Sequence, residues 1–523
     1  MLLSILVFLP AGCAASASQQ RDPHTLVILE LADTATIDPL FSADASASLD
    51  ESLIFNGLAA TGRNFKTVPD LATSWHASRD GLHWTVDLRH DVRWSDGARF
   101  TSADVTYTWR VQLDPQTAYP YRGLFAYVKS VTALGPYRVR FDLSQTNALF
   151  ESEALALYIV PEHVLAKTAD RDLHASSFGE HPIGTGPYEL ERWRHDEEVS
   201  FTRNPAYYGG AATISRIVLR ILINDQARTD AMESGAADID DTISADAYST
   251  LERDKANVRL IHLPDLYNYF IYTNFVRGGL DDVRVRRAMM YGWDRKALVA
   301  GLEHGDAMVE TSIVPPALSY WYDPHVKRYP YDPARARRLL DDAGFRTGPD
   351  GIRSHGGTRL AYTLLIYDNG GPELVDLAAE FQSDMRAVGI AIDISTVDYA
   401  TFLERTQAEN FDLAFSGWGG SPDPDEETLL GSDQFPPNGN NVMHYTSARV
   451  DRDVRLGLTT ISNAKRKPYY DDMQRAVAED VPVLFYEFQF YRAAISRRVR
   501  LDYARALPDL YFFRNVSDWT LAR

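Results

Sequence analysis

Residues 360–425 read LAYTLLIYDNGGPELVDLAAEFQSDMRAVGIAIDISTVDYATFLERTQAENFDLAFSGWGGSPDPD, and the changes of hydrophobic period along this stretch decide the fold. Residues 360–367 read as a strand. Leu374, Leu377, Ala378, Phe381, Met385 and Val388 then fall on one face of a helix that Gly389 closes. Ile390, Ile392 and Ile394 alternate as a second strand, a helix follows near 401–407, and 411–416 is a third, short apolar strand. Strand, helix, strand, helix, strand implies an open parallel sheet and an α/β fold. Ligands of such sheets sit outside the carboxyl ends of the strands, and GWGGSPDPD (417–425) begins where the third strand is expected to end. From the residues alone Trp418 reads either as a platform for a ligand or as a packing residue. Asp423 and Asp425, each preceded by a proline, read as turn residues or as binding carboxylates.

The same punctuation continues on either side. In YDPARARRLLDDAG (331–344), Asp332 suits an N-cap and Pro333 the first helical position, Ala336, Leu339, Leu340 and Ala343 share a face, and Gly344 stops the helix. Far upstream, Asp80-Gly81 marks a hairpin turn. Trp84, Val86 and Leu88 then alternate with Thr85, Asp87 and Arg89 as a half-buried strand. Thr101 and Asp104 form the capping-box pattern of a helix running through Trp109. Residues 61–183 are expected to form a small α/β unit of their own.

Composition narrows the function. The 523 residues, 45% of them hydrophobic, are enough for several cores, and 53 basic against 72 acidic residues leave a net charge of −19. That field argues against nucleic acid as a partner. Cys13 is the only cysteine, so no intramolecular disulfide and no cysteine-rich metal site is available. It closes the apolar opening MLLSILVFLPAGC, which reads as an export signal; 1–23 is taken as signal and tether. LPAGC resembles a lipobox that would place a lipid on Cys13, whereas Ala15-Ser16-Ala17 has the form of an ordinary signal-peptidase site. The run is shorter than a membrane-spanning helix. G-x-S-x-G, H-E-x-x-H, the phosphate-binding G-x-x-x-x-G-K-[ST] and calcium-loop motifs are absent, and the 13 histidines are scattered. The chain is therefore expected to be neither an enzyme nor the holder of a cofactor or metal. A secreted glycosidase, using two carboxylates across a sugar site, is the rival from another class.

A set of ordered segments carries a resemblance. They are TIDPLF (36–41), PDLATSWHASRDGLHWTVDLRHDVRWSDGARFTSADVTYTW (69–109), GTGPYEL (184–190), DDVRVRRAMMYGWDR (281–295), YDPARARRLLDDAG (331–344), GWGGSPDPD (417–425) and NGNNVMHYTSARVD (438–451). Together they are similar to the extracellular solute-binding proteins of the family that serves peptide and nickel importers of the ATP-binding-cassette type. The resemblance implies a two-lobed, three-domain periplasmic-binding-protein fold that closes on an extended ligand. Lobe one would comprise 24–60, 184–276 and 488–523, with 61–183 inserted, and lobe two 277–487. It also implies a monomer outside the cytoplasm that delivers a peptide or similar solute to membrane permease subunits, and the lipobox at Cys13 would anchor it by lipid.

In that family the motif matching 417–425 lines the pocket, so Trp418, Gly419, Ser421 and Asp423 become candidates for ligand contact. Peptide-binding members often carry, three residues after the tryptophan, an aspartate that pairs with the peptide's α-ammonium. Ser421 stands there in this chain. Another acid, such as Asp423 or Asp425, takes over, or the ligand carries no free amine; the second is expected, because Asp423-Pro424 matches a structural piece of the motif. Phe41, Tyr267 with its neighbours Asn268 and Tyr269, and Asn440 are further candidates, each also readable as a packing or turn residue. A nickel chelate, an opine or an oligosaccharide stays open as the ligand.

Overall fold

The computed structural model of the chain describes residues 22–42, 45–253, 257–302, 307–503, 506–508 and 511–522. The export segment, with Cys13 and Ala15-Ser16-Ala17, lies outside the described residues. One sheet of eleven strands runs through both lobes. Numbering only its members, these are β1 (Thr25–Glu30), β2 (Tyr188–Arg194), β3 (Glu198–Arg203), β4 (Arg216–Ile221), β5 (Ile239–Asp240), β6 (Val258–Thr273), β7 (Ala307–Val309), β8 (Ala361–Tyr367), β9 (Ala391–Val397), β10 (Leu413–Gly419) and β11 (Val483–Ser496). Their order across the sheet is β9-β8-β10-β6-β11-β5-β1-β4-β3-β2, with β7 paired to β11.

Two parallel nuclei stand at opposite ends of this order. In lobe two β8 pairs in parallel with β9 and β10; in lobe one β1 pairs in parallel with β4 and β5. TLVILE is buried on both faces almost throughout, and AYTLLIY is buried on both faces from Leu364 to Ile366. Between the nuclei lie β6 and β11, 16 and 14 residues long, paired antiparallel. Lobe two hangs on the outer edge of β6 and lobe one on that of β11. These two strands are the crossings between the lobes. Their register shifts between Pro264 and Asn268 and again between Tyr269 and Phe270. Such bulges bend a ribbon locally, which places the flexible point of the crossing here.

The expected elements of lobe two form as read. Helix Pro333–Asp342 is capped by Asp332, which accepts from the Arg335 amide, with Ala336 and Leu340 buried. Helix Gly371–Val388 ends at Gly389 with φ 94° and buries Leu374, Leu377, Ala378, Phe381, Met385 and Val388. The last strand differs. The apolar pattern predicts 411–416, but β10 runs on through Gly419, because its ladder to β6 continues as Gly417↔Tyr269, Trp418↔Asn268 and Gly419↔Tyr267. Trp418 thus sits in a strand and not on the loop after it.

Within 61–183, a separate antiparallel sheet takes the strands Ala72–Ala77, His83–Leu88, Arg138–Leu143 and Val128–Gly135 in that order. Trp84, Val86 and Leu88 point into its core with Trp109 of helix Ser102–Leu113, whose capping box is formed by Thr101 and Asp104. The unit also reaches lobe two. Leu149 packs against the lobe-two core, Ile461 packs against the core of the unit, and a Cβ on Gly81 would stand 2.7 Å from Ile461 Cδ1.

Candidate functional site

The order β9-β8-β10 means that the chain leaves β8 toward one side and returns on the other. That reversal opens a crevice between the carboxyl ends of β8 and β10. Among the described residues the ladder between these strands stops at Leu365↔Ala414. β8 ends at Tyr367 and turns into the helix beginning at Gly371, while β10 continues beside the gap. A cavity of about 470 Å³ fills this gap, and a smaller one of about 190 Å³ shares Tyr269 and Gln489 with it.

Aromatic rings build the floor. Tyr269 stacks on Phe415 with centroids 5.4 Å apart and planes 16° from parallel, and Tyr267 meets Tyr269 edge-on at 5.2 Å. Tyr267 lies across Gly417, where a Cβ would stand 2.4 Å from the ring. Glycine at 417 is therefore what lets the ring lie flat on the strand, whereas at Gly419 the same construction gives an ordinary 3.4 Å contact. Because successive side chains alternate across a sheet, Trp418 and its partner Asn268 occupy the face opposite these rings.

Polar groups arrive from both lobes. Lobe one contributes Ser244 and Asp246, while lobe two contributes Tyr367 and Glu373; the crossing strand β11 supplies Glu487, Gln489 and Arg492. Three carboxylates against one guanidinium make the lining acidic, in keeping with the charge of the whole chain. None of Glu487, Gln489 and Arg492 was anticipated. A signal was present in FYEFQFYR (485–492), where Glu487 and Gln489 alternate with aromatic residues at strand period.

The loop after β10 holds a second group of acids. Ser421 turns on itself, its Oγ donating to the Asp423 carbonyl (2.8 Å) and accepting the Asp423 amide (3.2 Å). Asp423 is buried and receives one guanidinium N–H on each carboxylate oxygen from Arg466, both at 2.6 Å. Its charge is thus spent inside the protein. Burial alone would weaken the Arg466 cation, and Asp423 more than reverses this, so the pKa of the guanidinium is raised. Desolvation pushes Asp425 well above the carboxylate range, and the charges of Asp423 and Glu427 add to it. Desolvation does the same to Glu426, with Asp425 adding and the nearby Trp418 indole opposing. From the inserted unit comes Glu153, raised to about 7 by desolvation and by Asp423, with Arg466 and the nearby Ser421 hydroxyl pulling the other way.

The sequence candidates therefore separate. Tyr267, Tyr269 and Gly419 line the crevice. Half-buried Trp418 packs against the lobe-two core, while Ser421 and Asp423 belong to the acidic loop. Asn268 is buried and donates to Glu310 (2.8 Å). Phe41 stands apart, half-buried against the lobe-one core and edge-on to His174 at 6.4 Å. The Asn440 backbone bridges Thr428 and Val442, and Asn441 makes the side-chain bonds in this turn, to the carbonyls of Gly431 and Tyr445. Among the described residues no group of three or more His, Cys, Asp or Glu is placed to hold a metal ion.

Known proteins with this arrangement exist. Residues 66–440 match the model of the bacterial extracellular solute-binding proteins, family 5. Protein XP55 of Streptomyces lividans is 30% identical over 477 residues, covering 90% of this chain and 85% of its own. The oligopeptide-binding protein AppA of Bacillus subtilis is 24% identical over 544 residues, covering 100% and 98%. Among solved structures, NikZ from Campylobacter jejuni in complex with Ni(L-His) superposes with a TM-score of 0.79 at 28% identity, over 96% of this chain and 100% of that one. With a switch-point crevice between two lobes and a family match over most of its length, the chain belongs to the bacterial extracellular solute-binding proteins of family 5.

Proposed function

We propose that the protein captures an extended, peptide-like solute in the crevice between its lobes and delivers it to the permease of an ATP-binding-cassette importer. The observation that carries this reading is the edge of β10. Beyond Ala414 no ladder partner lies on its β8 side among the described residues, and the open edge runs along an aromatic cavity. An extended peptide can add to such an edge as one more strand, with main-chain hydrogen bonds for affinity and cavities for alternate side chains. The oligopeptide-binding AppA, a relative over the full chain, supports a peptide as the solute. In this reading 24–60, 184–276 and 488–523 form lobe one, 61–183 is the inserted domain and 277–487 forms lobe two. The protein works as a monomer outside the cytoplasm, without catalysis, and a lipid on Cys13 tethers it.

Native mass spectrometry of protein purified without refolding identifies the retained solute. Titration calorimetry then compares that solute with a form N-methylated at alternate backbone amides. We expect methylation in one register to weaken binding about tenfold or more, the loss of one to two main-chain hydrogen bonds at about 1 kcal/mol each, with the desolvation of their partners. Equal affinity of both registers with the parent solute would refute strand addition.

A further inference from the structure

Surface arginines of this acidic chain are commonly matched by an acid, as Arg110 is by Asp170, Arg216 by Glu191, Arg359 by Asp350 and Arg449 by Asp472. One place in lobe two departs from this. Residues 284–296 and 325–340 carry ten Lys or Arg against two Asp, in a chain of 53 basic and 72 acidic residues. Arg286 and Arg295 are buried on backbone carbonyls, and Arg284 holds Asp282. Arg287, Lys327 and Arg335 instead converge on two tyrosines, and among the described residues none of the three has an ion pair.

The fold fixes all three. Arg287 and Tyr291 lie one turn apart on helix Val283–Gly292, and Arg287 is oriented by donating through Nε to the Glu479 carbonyl (2.8 Å). The Tyr291 carbonyl accepts the Asp332 amide (2.8 Å), which brings in the first turn of helix Pro333–Asp342 and with it Arg335. The Arg335 guanidinium stands 4.2 Å from the centre of the Tyr291 ring and Lys327 Nζ 5.2 Å from that of Tyr329, and the two rings meet edge-on at 5.0 Å. Tyr329 is held in turn by its hydroxyl, which donates to the Ala478 carbonyl (2.7 Å). The flanking acids are engaged elsewhere: Asp332 accepts the Arg335 amide and stands 3.9 Å from Arg338, and Glu479 pairs with Arg449 at 3.0 Å. The like charges feel one another, for burial lowers the pKa of the Lys327 ammonium and Arg287 and Arg335 lower it further, with Glu479 opposing. An anion among the three would relieve that repulsion.

Three cations exceed what a single carboxylate neutralises. A phosphate group carries about −1.5 to −2 charge and three acceptor oxygens, and guanidinium forks match its geometry. We propose that Arg287, Lys327 and Arg335 form a binding site for a phosphate group on lobe two. The site shares no residue with the lining of the crevice, so it does not depend on the identity of the solute held there.

The test is calorimetric titration of the full chain, at low and matched ionic strength, with inorganic phosphate and with acetate, which offers a single carboxylate. We expect phosphate to bind about tenfold or more tightly than acetate. Lys327→Gln and Arg335→Gln should each weaken phosphate binding about fivefold, whereas Arg359→Gln, which removes a guanidinium already paired with Asp350, should leave it unchanged. Arg335 is exposed, so its variant stays informative if a change at half-buried Lys327 impairs folding. Vesicles of phosphatidic acid, compared with phosphatidylcholine, then give the source. Sedimentation with the former that Arg335→Gln abolishes shows a lipid headgroup, binding of free phosphate alone shows a soluble one, and both support the site. No binding of phosphate, equal affinity for phosphate and acetate, the same loss on Arg359→Gln as on Arg335→Gln, or Arg335-dependent binding of a polyglutamate peptide that exceeds that of phosphate would overturn it.

Discussion

The carboxyl ends of the parallel strands carry a similar device in each lobe: one buried arginine among several acids. In lobe one, Arg228 grips Asp240 at the end of β5 with two hydrogen bonds (2.7 and 3.0 Å) and also reaches Thr242. Around it, Glu30 is pushed well above the carboxylate range by desolvation and by Asp241 and Asp50. In lobe two, Arg466 grips Asp423, and Asp425, Glu426 and Glu153 crowd around them. The difference lies in where the acids come from. Every acid named in the first group belongs to lobe one, whereas the second receives Glu153 from the inserted unit. One cluster is sealed within its lobe, and the other is completed only when the inserted unit meets lobe two. Similar electrostatics thus hold one lobe together in one place and join the inserted unit to lobe two in the other.

The largest expected effect would break the likeness between the two arginines. Arg228→Ala and Arg466→Ala each leave a buried carboxylate without its cation and should cost about 3–5 kcal/mol in denaturant unfolding. Arg466→Ala alone should also weaken solute binding in the surviving folded fraction, because it removes the single cation that offsets Glu153. Equal effects of both variants on binding would erase the distinction. A smaller effect concerns Trp418. The indole packs against the lobe-two core, so Trp418→Ala should lower stability by about 1–3 kcal/mol, with thermal melting as the check. Ser421→Asp sharpens the contrast from the other direction. A further carboxylate beside Glu153 should weaken solute binding about threefold to tenfold at pH 8 and much less at pH 6, where protonation relieves the repulsion. Removal of a carboxylate in lobe one, Asp241→Asn, should change stability and leave the pH dependence of binding intact.

The smallest effect is the titration of Glu153 itself. Its pKa is raised from 4.5 to about 7, first by desolvation and then by Asp423 of lobe two, so bringing Asp423 near makes Glu153 hold its proton more tightly. The contact is therefore favoured fully below about pH 4.5, and the advantage fades as pH rises through 7. Solute affinity should fall a few-fold between pH 5.5 and 8 in the wild type, since partial exposure screens the group, and Glu153→Gln should flatten this slope. An unchanged slope in calorimetry would remove Glu153 from the closing contact.

The two lobes also differ in how far the sequence discloses them. The parallel nucleus of lobe two lies within 361–419, and its caps, helix faces and strand runs can be read in order, down to Asp332 and Gly389. The nucleus of lobe one pairs β1 with β4 and β5, roughly two hundred residues downstream, and no local period announces such a partner. At the site, Tyr267 and Tyr269 were legible as edge aromatics. The extension of β10 through Trp418 was not, because a ladder to β6 and not local hydrophobicity sustains it. Asp423 could not be told from a ligand-binding acid, since Arg466, which takes up its charge, is 43 residues away in sequence. The family resemblance supplied the lobes that periodicity alone could not assemble.

The paired crossings β6 and β11 impose an order on synthesis. A growing chain emerges from its amino end, so β6 is made first and everything between 274 and 482 follows before β11 exists. Lobe two has its parallel nucleus complete at that stage. Lobe one does not: Tyr491, Ala493, Ile495, Phe512 and Trp519, all part of its core, are among the last residues to appear. The opening strand must wait for the end of the chain, so the half made first is the last to close. A lobe whose core is closed by the last residues of the chain cannot finish folding until the whole chain has been made.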